Sequence, residues 1–115
     1  MSGWIKIHRK IVDWEWYSDA NTSRLFLHLI FTVNWKAGRF RGIEIPVGSR
    51  FTSYDALAKE TGLSNHQVRT AIEKLRSTSN VATNRAMSGL LISVSKYESY
   101  NGGNTDGWQP IGQSN

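Results

Sequence analysis

The sequence predicts a single, mainly helical α+β domain, and three features of its 115 residues support that prediction. A helical apolar pattern runs from Leu25 to Val33, and two shorter helical segments with capping signals lie between Phe51 and Ser77. Alternating apolar residues at 43–47 indicate a short strand, and two β-prone runs after residue 80 indicate a β-hairpin. A hydrophobic content of 39% is enough for the core of one small domain.

The N-terminal half is expected to supply an aromatic segment and the central helix. Residues 4–8 alternate in an extended pattern, and residues 11–17 have the spacing of a short helical turn that packs aromatic side chains on the core. Asn21 or Thr22 is predicted to cap the long helix, and Lys-Ala-Gly at 36–38 to end it.

Short strands are predicted before and after the two C-terminal helices. The alternation at 43–47 includes Pro46, which cannot donate a ladder hydrogen bond, so this strand should lie at an edge or end there. The β-prone runs 81–83 and 90–94 flank a polar connection at 84–89, which suits a hairpin.

The segment 51–77 carries the most specific signal. Thr52 and Asp55 have capping-box spacing, and so do Ser64 and Gln67. Two helices joined by a tight glycine turn form a helix-turn-helix. The predicted fold is therefore a winged helix-turn-helix, with a short strand and the β-hairpin as its wing.

Three residues are expected to set the crossing of these two helices. Ala58 must be small because the second helix passes over it, Gly62 can adopt the left-handed backbone of the turn, and Val68 fills the space between the helices. Their spacing matches that of DNA-reading helix-turn-helix units. The alternative interpretation is an ordinary helical hairpin with two good caps.

The charge distribution favours a polyanionic partner. The net charge is +5, and the excess lies in two blocks, residues 24–50 and 61–96, each with five basic residues against one acid. Two basic blocks on a small domain are typical of nucleic-acid binding, although many basic proteins bind no nucleic acid.

The candidate DNA-binding residues lie on the second helix of this pair and on the hairpin: Asn65, His66, Gln67, Arg69, Thr70, Lys74 and Arg85. Because the N-terminal half of such a helix enters the major groove, Gln67 and Arg69 have the bidentate chemistry for adenine and guanine. Thr70 can contact a base or a phosphate, and His66 is interpreted as a surface group or phosphate donor. Arg85 near the hairpin tip suits a phosphate or a narrow minor groove, or is a solvated loop residue.

Glu73 on the same helix has two interpretations. It can accept a hydrogen bond from cytosine, or it can pair with Arg69 or Lys74 along the helix. The second arrangement is commoner for a lone acid on a solvated face.

Composition and motifs exclude several classes of protein. Cysteine is absent, which rules out disulfide scaffolds, thiolate zinc sites and cysteine nucleophiles. The three histidines are dispersed, and the sequence contains no His-Glu-x-x-His, phosphate-binding glycine loop or Gly-x-Ser-x-Gly. We therefore expect no enzymatic activity, no metal and no cofactor. Without a membrane-spanning run or a targeting segment, a cytoplasmic protein with no membrane contact is expected.

The domain is expected to span residues 1–100. From Asn101 the sequence is rich in Gly, Asn, Gln and Ser, a composition that has little apolar surface to bury. Residues 101–115 are therefore predicted to form a flexible tail or the start of a linker.

Several segments resemble one family. They are Gly3–Ile11, Trp14-Glu15-Trp16-Tyr17, Arg24–Leu29, Phe40–Ile43, Thr61–Ser64, Val68–Ala71 and Leu75. With these residues, the chain resembles the N-terminal winged-helix domain of phage replisome organisers and related DnaD-like primosomal proteins. The resemblance spans roughly residues 3–100. It implies origin or repeat binding in a bacterium or phage-infected cell, and a further region, with no counterpart here, that engages a helicase or its loader.

The expected function is sequence-specific binding of duplex DNA in phage- or plasmid-type replication initiation. Two alternatives stay open: a transcriptional regulator that binds an operator, and a winged helix used as a protein-binding inhibitor module. In the second alternative, Trp4, Trp14, Trp16 and Trp35 would form an exposed patch. A palindromic target would require two copies of the chain.

Overall fold

The computed structural model describes residues 3–86 and 88–101, which form an α+β fold of three α-helices and two small antiparallel sheets. The elements in chain order are a 3-10 helix (Arg9–Asp13), α1 (Ala20–Thr32), β1 (Gly38–Phe40), β2 (Ile43–Ile45), β3 (Ser49–Thr52), α2 (Tyr54–Thr61), α3 (Asn65–Ser77), β4 (Val81–Ala86), β5 (Gly89–Val94) and a second 3-10 helix (Tyr97–Ser99). Of the predicted tail, residues 102–115 lie outside the described residues.

The N-terminal aromatic segment packs on the core, as predicted, and it follows a 3-10 helix. The ring of Trp14 lies 4.9 Å from that of Phe26, centroid to centroid. Tyr17, which was expected on the core, is exposed. The preceding extended stretch is held by an isolated antiparallel bridge between Ile5 and Asn101.

The residue that caps α1 is Asp19, and the prediction of Asn21 or Thr22 is wrong. Oδ1 of Asp19 accepts a hydrogen bond from the backbone N–H of Thr22 at 3.1 Å. A carboxylate at this position also interacts favourably with the positive end of the helix dipole. Thr22 itself is buried inside the first turn.

The helix ends at Thr32, before the predicted stop at 36–38, because the chain turns there into a β-hairpin. The N–H of Asn34 donates to the carbonyl of Ser49 at 2.9 Å, and the carbonyl of Asn34 accepts from the N–H of Gly48 at 2.7 Å. These two bonds close the base of the hairpin.

The predicted strand at 43–47 is shorter, Ile43–Ile45, and it pairs with a partner, β1, that the sequence did not predict. Arg41 and Gly42 connect the two strands with φ values of 52° and 82°. Positive φ at both central residues is the geometry of a tight type I′ turn. The sequence of β1 is Gly-Arg-Phe, which has no apolar alternation to reveal a strand.

The larger sheet has the strand order β3-β5-β4 and is antiparallel throughout. The prediction of a hairpin in this region is confirmed. Its strands are longer than expected, because Ala86 pairs with Gly89 and only residues 87 and 88 separate them.

The strand β3 ends on Thr52, the residue that the sequence predicts as the cap of the next helix. Thr52, the expected cap of α2, is a buried strand residue. Ser53 caps α2 instead, since its side chain accepts a hydrogen bond from the backbone N–H of Ala56 at 3.1 Å. The sequence therefore predicts the right type of capping residue, a hydroxyl side chain, but places it at Thr52, one residue before Ser53.

The turn between α2 and α3 agrees with the prediction. Gly62 has a left-handed backbone with φ 79°, and its N–H donates to the carbonyl of Ala58 at 2.9 Å. Both halves of the capping box formed by Ser64 and Gln67 are present at the start of α3. Val68 is fully buried, and Ala58 is half-buried against the core.

The core lies between the three helices and the larger sheet. Its most completely buried side chains are Leu25, Leu29, Leu57, Ile72, Leu75 and Ile92. Among the described residues, no helix is long and apolar enough to cross a membrane.

Candidate nucleic-acid interface

The solvent-facing side of α3 is opposite its buried stripe. The stripe consists of Val68, Ala71, Ile72 and Leu75, so the outermost ridge carries His66, Thr70, Glu73 and Ser77. Asn65 and Arg69 lie on the flank next to α2, and Gln67 and Lys74 lie on the flank next to α1. The seven predicted residues thus divide among a ridge, two flanks and the separate β4–β5 hairpin.

The Nε edge and one face of the Arg69 guanidinium contact neighbouring side chains. Its Nε donates to Oδ1 of Asn65 at 2.7 Å, and its Cζ lies 4.3 Å from the ring centroid of Tyr54. The amide of Asn65 in turn donates to Oδ1 of Asp55. Within the described part of the chain, neither Nη of Arg69 has a hydrogen-bond partner, so its terminal edge is available to a ligand.

This arrangement prepares Arg69 for bidentate recognition. A planar guanidinium that is already stacked on an aromatic ring loses less rotamer freedom on binding than a free arginine does. Its two terminal N–H groups match a phosphate or the O6 and N7 acceptors of guanine.

Gln67 is less available than the sequence suggested. Its Oε1 accepts a hydrogen bond from the backbone N–H of Ser64 at 2.9 Å, as part of the capping box. A bidentate contact with adenine needs both the oxygen and the nitrogen of the amide. The capping bond therefore fixes the orientation of the Gln67 amide and occupies one of the two lone pairs of its oxygen.

His66 and Thr70 are exposed and border a shallow depression between α3 and the start of α1. The depression has a volume of about 170 Å³, and its other lining residues include Asn21, Thr22 and Lys74. Its polar rim lies directly beside the outermost ridge of α3.

Lys74 is engaged in a tertiary contact. Its Nζ lies 2.6 Å from Oδ2 of Asp19 and 5.7 Å from the ring centroid of Trp16. The hydrogen bond from Lys74 lowers the pKa of the Asp19 carboxyl below its usual value, against the opposing effect of burial. Because Asp19 also caps α1, Lys74 ties the C-terminal half of α3 to the start of α1.

Glu73 pairs along the helix, but with neither of the expected partners. Its Oε2 accepts from Nη1 of Arg76 at 2.6 Å. The interpretation of Glu73 as a structural acid on a solvated face is thus supported, and its pairing with Arg69 or Lys74 is wrong.

Arg85 lies near the end of the β4–β5 hairpin and is exposed. It faces Leu90, which in turn faces Thr52 across the sheet. Because Leu90 belongs to the core, this row points to the helix side of the sheet. Two strand spacings, about 10 Å, separate Arg85 from Thr52. Since Tyr54 follows Thr52 by two residues, Arg85 lies at the same end of the domain as Tyr54.

Two residues of the first basic block, Arg24 and Arg50, are engaged in contacts within the domain. Arg50 donates two hydrogen bonds to the carboxylate of Glu60, which also accepts from His28. The hydrogen bonds from Arg50 lower the pKa of Glu60 to about 2. Arg24 donates to the carbonyl of Thr61, at the C-terminal end of α2.

Tyr54 and Asp55 are the site residues that sequence reasoning missed. The sequence assigned Tyr54 to the apolar side of α2 and Asp55 to a capping box. Their contacts with Arg69 and Asn65 cross the turn between two helices. No local periodicity marks such pairs, so only the folded chain brings them together.

The described residues contain no group of three or more potential metal ligands. Searches against protein-family models, characterised proteins and solved structures returned no match to this chain. The functional argument therefore rests on the geometry of α3 and its neighbours.

Proposed function

We propose that this chain is a winged-helix protein that binds duplex DNA through the N-terminal half of α3. The order of elements supports the fold assignment, since α1 and a small β-hairpin are followed by a strand, two helices joined by a glycine turn and a second hairpin. In the strand order β3-β5-β4, the hairpin pairs through β5 with the strand that precedes the two helices, and this pairing supports the interpretation of the hairpin as a wing. In such folds the second helix of the pair enters the major groove.

The observation that carries this proposal is the environment of Arg69. Its guanidinium is stacked on Tyr54 and bonded to Asn65, while both terminal nitrogens face solvent without a partner in the described residues. A purely structural arginine would donate these groups to a carboxylate or a carbonyl, as Arg50 does with Glu60. Arg69 is the reader in this proposal, and Arg85 contacts the backbone or the minor groove.

More specifically, we propose a replisome organiser that binds an origin or repeat DNA and acts in the cytoplasm of a bacterium or phage-infected cell. The segments that resemble this family support the assignment, and they include the Trp-Glu-Trp-Tyr stretch at 14–17. A replicative helicase or its loader is the protein partner that this role requires. An operator-binding regulator would use the same DNA contacts.

The second alternative, a protein-binding module with an exposed tryptophan patch, is less well supported. Trp14, Trp16 and Trp35 are half-buried and pack against the core. Trp4 alone among these four is strongly exposed, at 53%. One exposed residue of the four does not make the tryptophan patch that this alternative requires.

The test is the selection of bound sites from random duplex DNA, followed by a salt titration on the enriched site. We expect an enriched motif that contains a guanine, and an affinity that falls with salt with a log–log slope of about −0.9 per phosphate contacted. A scrambled duplex of equal length is the control for general electrostatic attraction. The absence of an enriched motif, together with a slope near zero, would contradict DNA binding.

A further inference from the structure

The β1–β2 hairpin carries a group of basic and aromatic side chains that take no part in the DNA contacts proposed for α3 and the β4–β5 hairpin. Lys36, Arg39 and Arg41 lie within this hairpin or next to it, and Glu44 is the acid that β2 places beside them. Arg41 and Gly42 form its turn, and both are exposed. We call residues 39–42 the basic tip.

The basic tip is held at a defined place by two aromatic contacts. The ring of Phe40 stacks on that of Phe51 with 5.3 Å between centroids. The ring of Phe51 lies against Gly89, where a Cβ atom would be only 2.5 Å from its Cζ. Since Gly89 begins β5 at the end of the β4–β5 hairpin, the basic tip lies at the same end of the sheet as that hairpin.

The two hairpin ends lie on opposite faces of the sheet. Arg85 shares a row with Leu90 on the helix side. Phe51 pairs with Leu91, one residue along, so its ring points to the other face, where Phe40 stacks on it. Arginines therefore occur on both sides of this end of the sheet.

The charge of the basic tip is poorly compensated. Arg39 is 3.4 Å from Glu44, but their side chains are 63% and 82% exposed, so the pair is weak. Arg41 makes no ion pair with any described residue, and its guanidinium lies 5.2 Å from the ring centroid of Phe40. The contact holds Arg41 on the tip without neutralising it.

We propose that the basic tip is a second DNA contact, which binds the phosphate backbone of the duplex beside the site that α3 reads. This inference rests on the proposed function. Arginine side chains that project from a turn without a surrounding pocket suit phosphate oxygens, which carry no sequence information. The tip would lengthen the footprint beyond the β4–β5 hairpin and add affinity without changing sequence preference.

The test compares two duplexes and two double variants. One duplex is trimmed to the selected site, and the other extends it by about one helical turn, ~10 base pairs, on each side. Arg39→Gln with Arg41→Gln removes the charge of the tip. Arg9→Gln with Lys10→Gln removes the same charge from the N-terminal 3-10 helix, where Lys10 lines a cleft with Asn80 at the other end of β4.

We expect the unaltered protein and the Arg9/Lys10 variant to bind the extended duplex more tightly than the trimmed one. The Arg39/Arg41 variant should bind both equally, with a log–log salt slope on the extended duplex that is flatter by about 1.8. Equal affinity of the unaltered protein for both duplexes, or an extended-duplex preference that survives in the Arg39/Arg41 variant, would overturn the inference. A protein that binds neither duplex would instead refute the proposed function. Thermal melting checks that each variant is folded.

Discussion

The two halves of α3 differ in the partners of their basic side chains. In the N-terminal half, no described residue bonds to either terminal nitrogen of the Arg69 guanidinium, and His66 and Thr70 are exposed. In the C-terminal half, Lys74 and Arg76 are each 2.6 Å from a carboxylate oxygen. One half of the helix presents unpaired donors, and the other half is committed to contacts within the domain.

This difference shows that the partner of a basic residue, more than its position on the helix, indicates whether the residue is free to bind a ligand. The sequence assigned Lys74 and Arg69 to one candidate surface, because both lie on exposed parts of the same helix. The structure separates them, since Lys74 is bound to the capping residue of α1 and Arg69 is supported by a neutral ring and an amide. Only the unpaired group can bind a ligand without first breaking a contact of the fold.

The largest expected effect is that of Arg69→Ala. Loss of a bidentate contact to guanine should weaken binding to the selected duplex by ~1–3 kcal/mol, about 5- to 150-fold, and much less on scrambled DNA. Fluorescence anisotropy on both duplexes measures the two affinities. If Arg69→Ala leaves their ratio unchanged, α3 does not read sequence through this residue.

Tyr54 provides the matched control for Arg69. Tyr54→Phe keeps the ring on which the guanidinium stacks and should keep the affinity ratio, whereas Tyr54→Leu removes the ring and should lower it. Arg69→Lys keeps the charge but not the planar fork, so it should bind scrambled DNA normally and lose preference for the selected site.

The second effect concerns the turn that orients the N-terminal half of α3. Gly62→Val should lower the free energy of unfolding by something like 1–2 kcal/mol, because a branched side chain disfavours the left-handed backbone at φ 79°. Apart from the two adjoining residues, no atom of the described residues lies within 4 Å of a Cβ placed there, so the expected cost is conformational. Gly62→Asn, which tolerates this backbone better, should cost less. Equal melting temperatures for Gly62→Val and the unaltered protein would contradict this account.

The sequence predicted the parts of α3 that depend on local chemistry. The capping box of Ser64 and Gln67, the buried stripe through Val68 and the left-handed Gly62 all follow from spacing within one or two turns. The β4–β5 hairpin was predicted for the same reason. These features agree with the structure.

Features that depend on distant partners could not be predicted in this way. Lys74 and Asp19 are 55 residues apart, and Tyr54 and Arg69 meet across a turn. β1 lacks an apolar alternation, so its strand forms only because β2 pairs with it. The direction of each exposed side chain on α3 was predictable from periodicity, but which of them is free was not.

The third effect tests the commitment of Lys74 to the fold. Asp19→Ala removes both the cap of α1 and the partner of Lys74, and should destabilise the domain by ~0.5–2 kcal/mol. Asp19→Asn keeps a capping side chain and loses the charge, so its cost should be only ~0.2–1 kcal/mol, as for other partly exposed pairs. Chemical denaturation measures both, and the ratio of specific to scrambled DNA affinity should not change. A changed ratio would show that Lys74, once released from Asp19, contributes to the reading of sequence.

The dependence of stability on acid pH provides a second measurement of the Asp19–Lys74 ion pair. The pKa of Asp19 is lower in the folded protein than its ordinary value of 3.8, so the unfolded chain takes up the proton more readily. Its stabilising contribution is therefore present above that value and is lost as the pH falls through the folded pKa. Asp19→Asn should weaken the acid dependence of stability below pH ~4 relative to the unaltered protein.

The smallest effect, and the sharpest comparison with Arg69, is expected for Arg76→Gln. Arg76 and Arg69 lie on the same helix and carry the same charge, but Nη1 of Arg76 is bonded to Glu73, and their side chains are 47% and 71% exposed. An exposed pair with this spacing contributes only ~0.2–0.5 kcal/mol to stability, so melting should hardly change.

Removal of either arginine lowers the net charge by one unit, so a general electrostatic attraction to DNA would weaken equally in Arg76→Gln and Arg69→Gln. Anisotropy on the selected and scrambled duplexes should instead show a lower affinity ratio for Arg69→Gln alone. If the ratio of the two affinities falls equally in both variants, sequence preference depends on the charge of α3 and not on the free edge of Arg69.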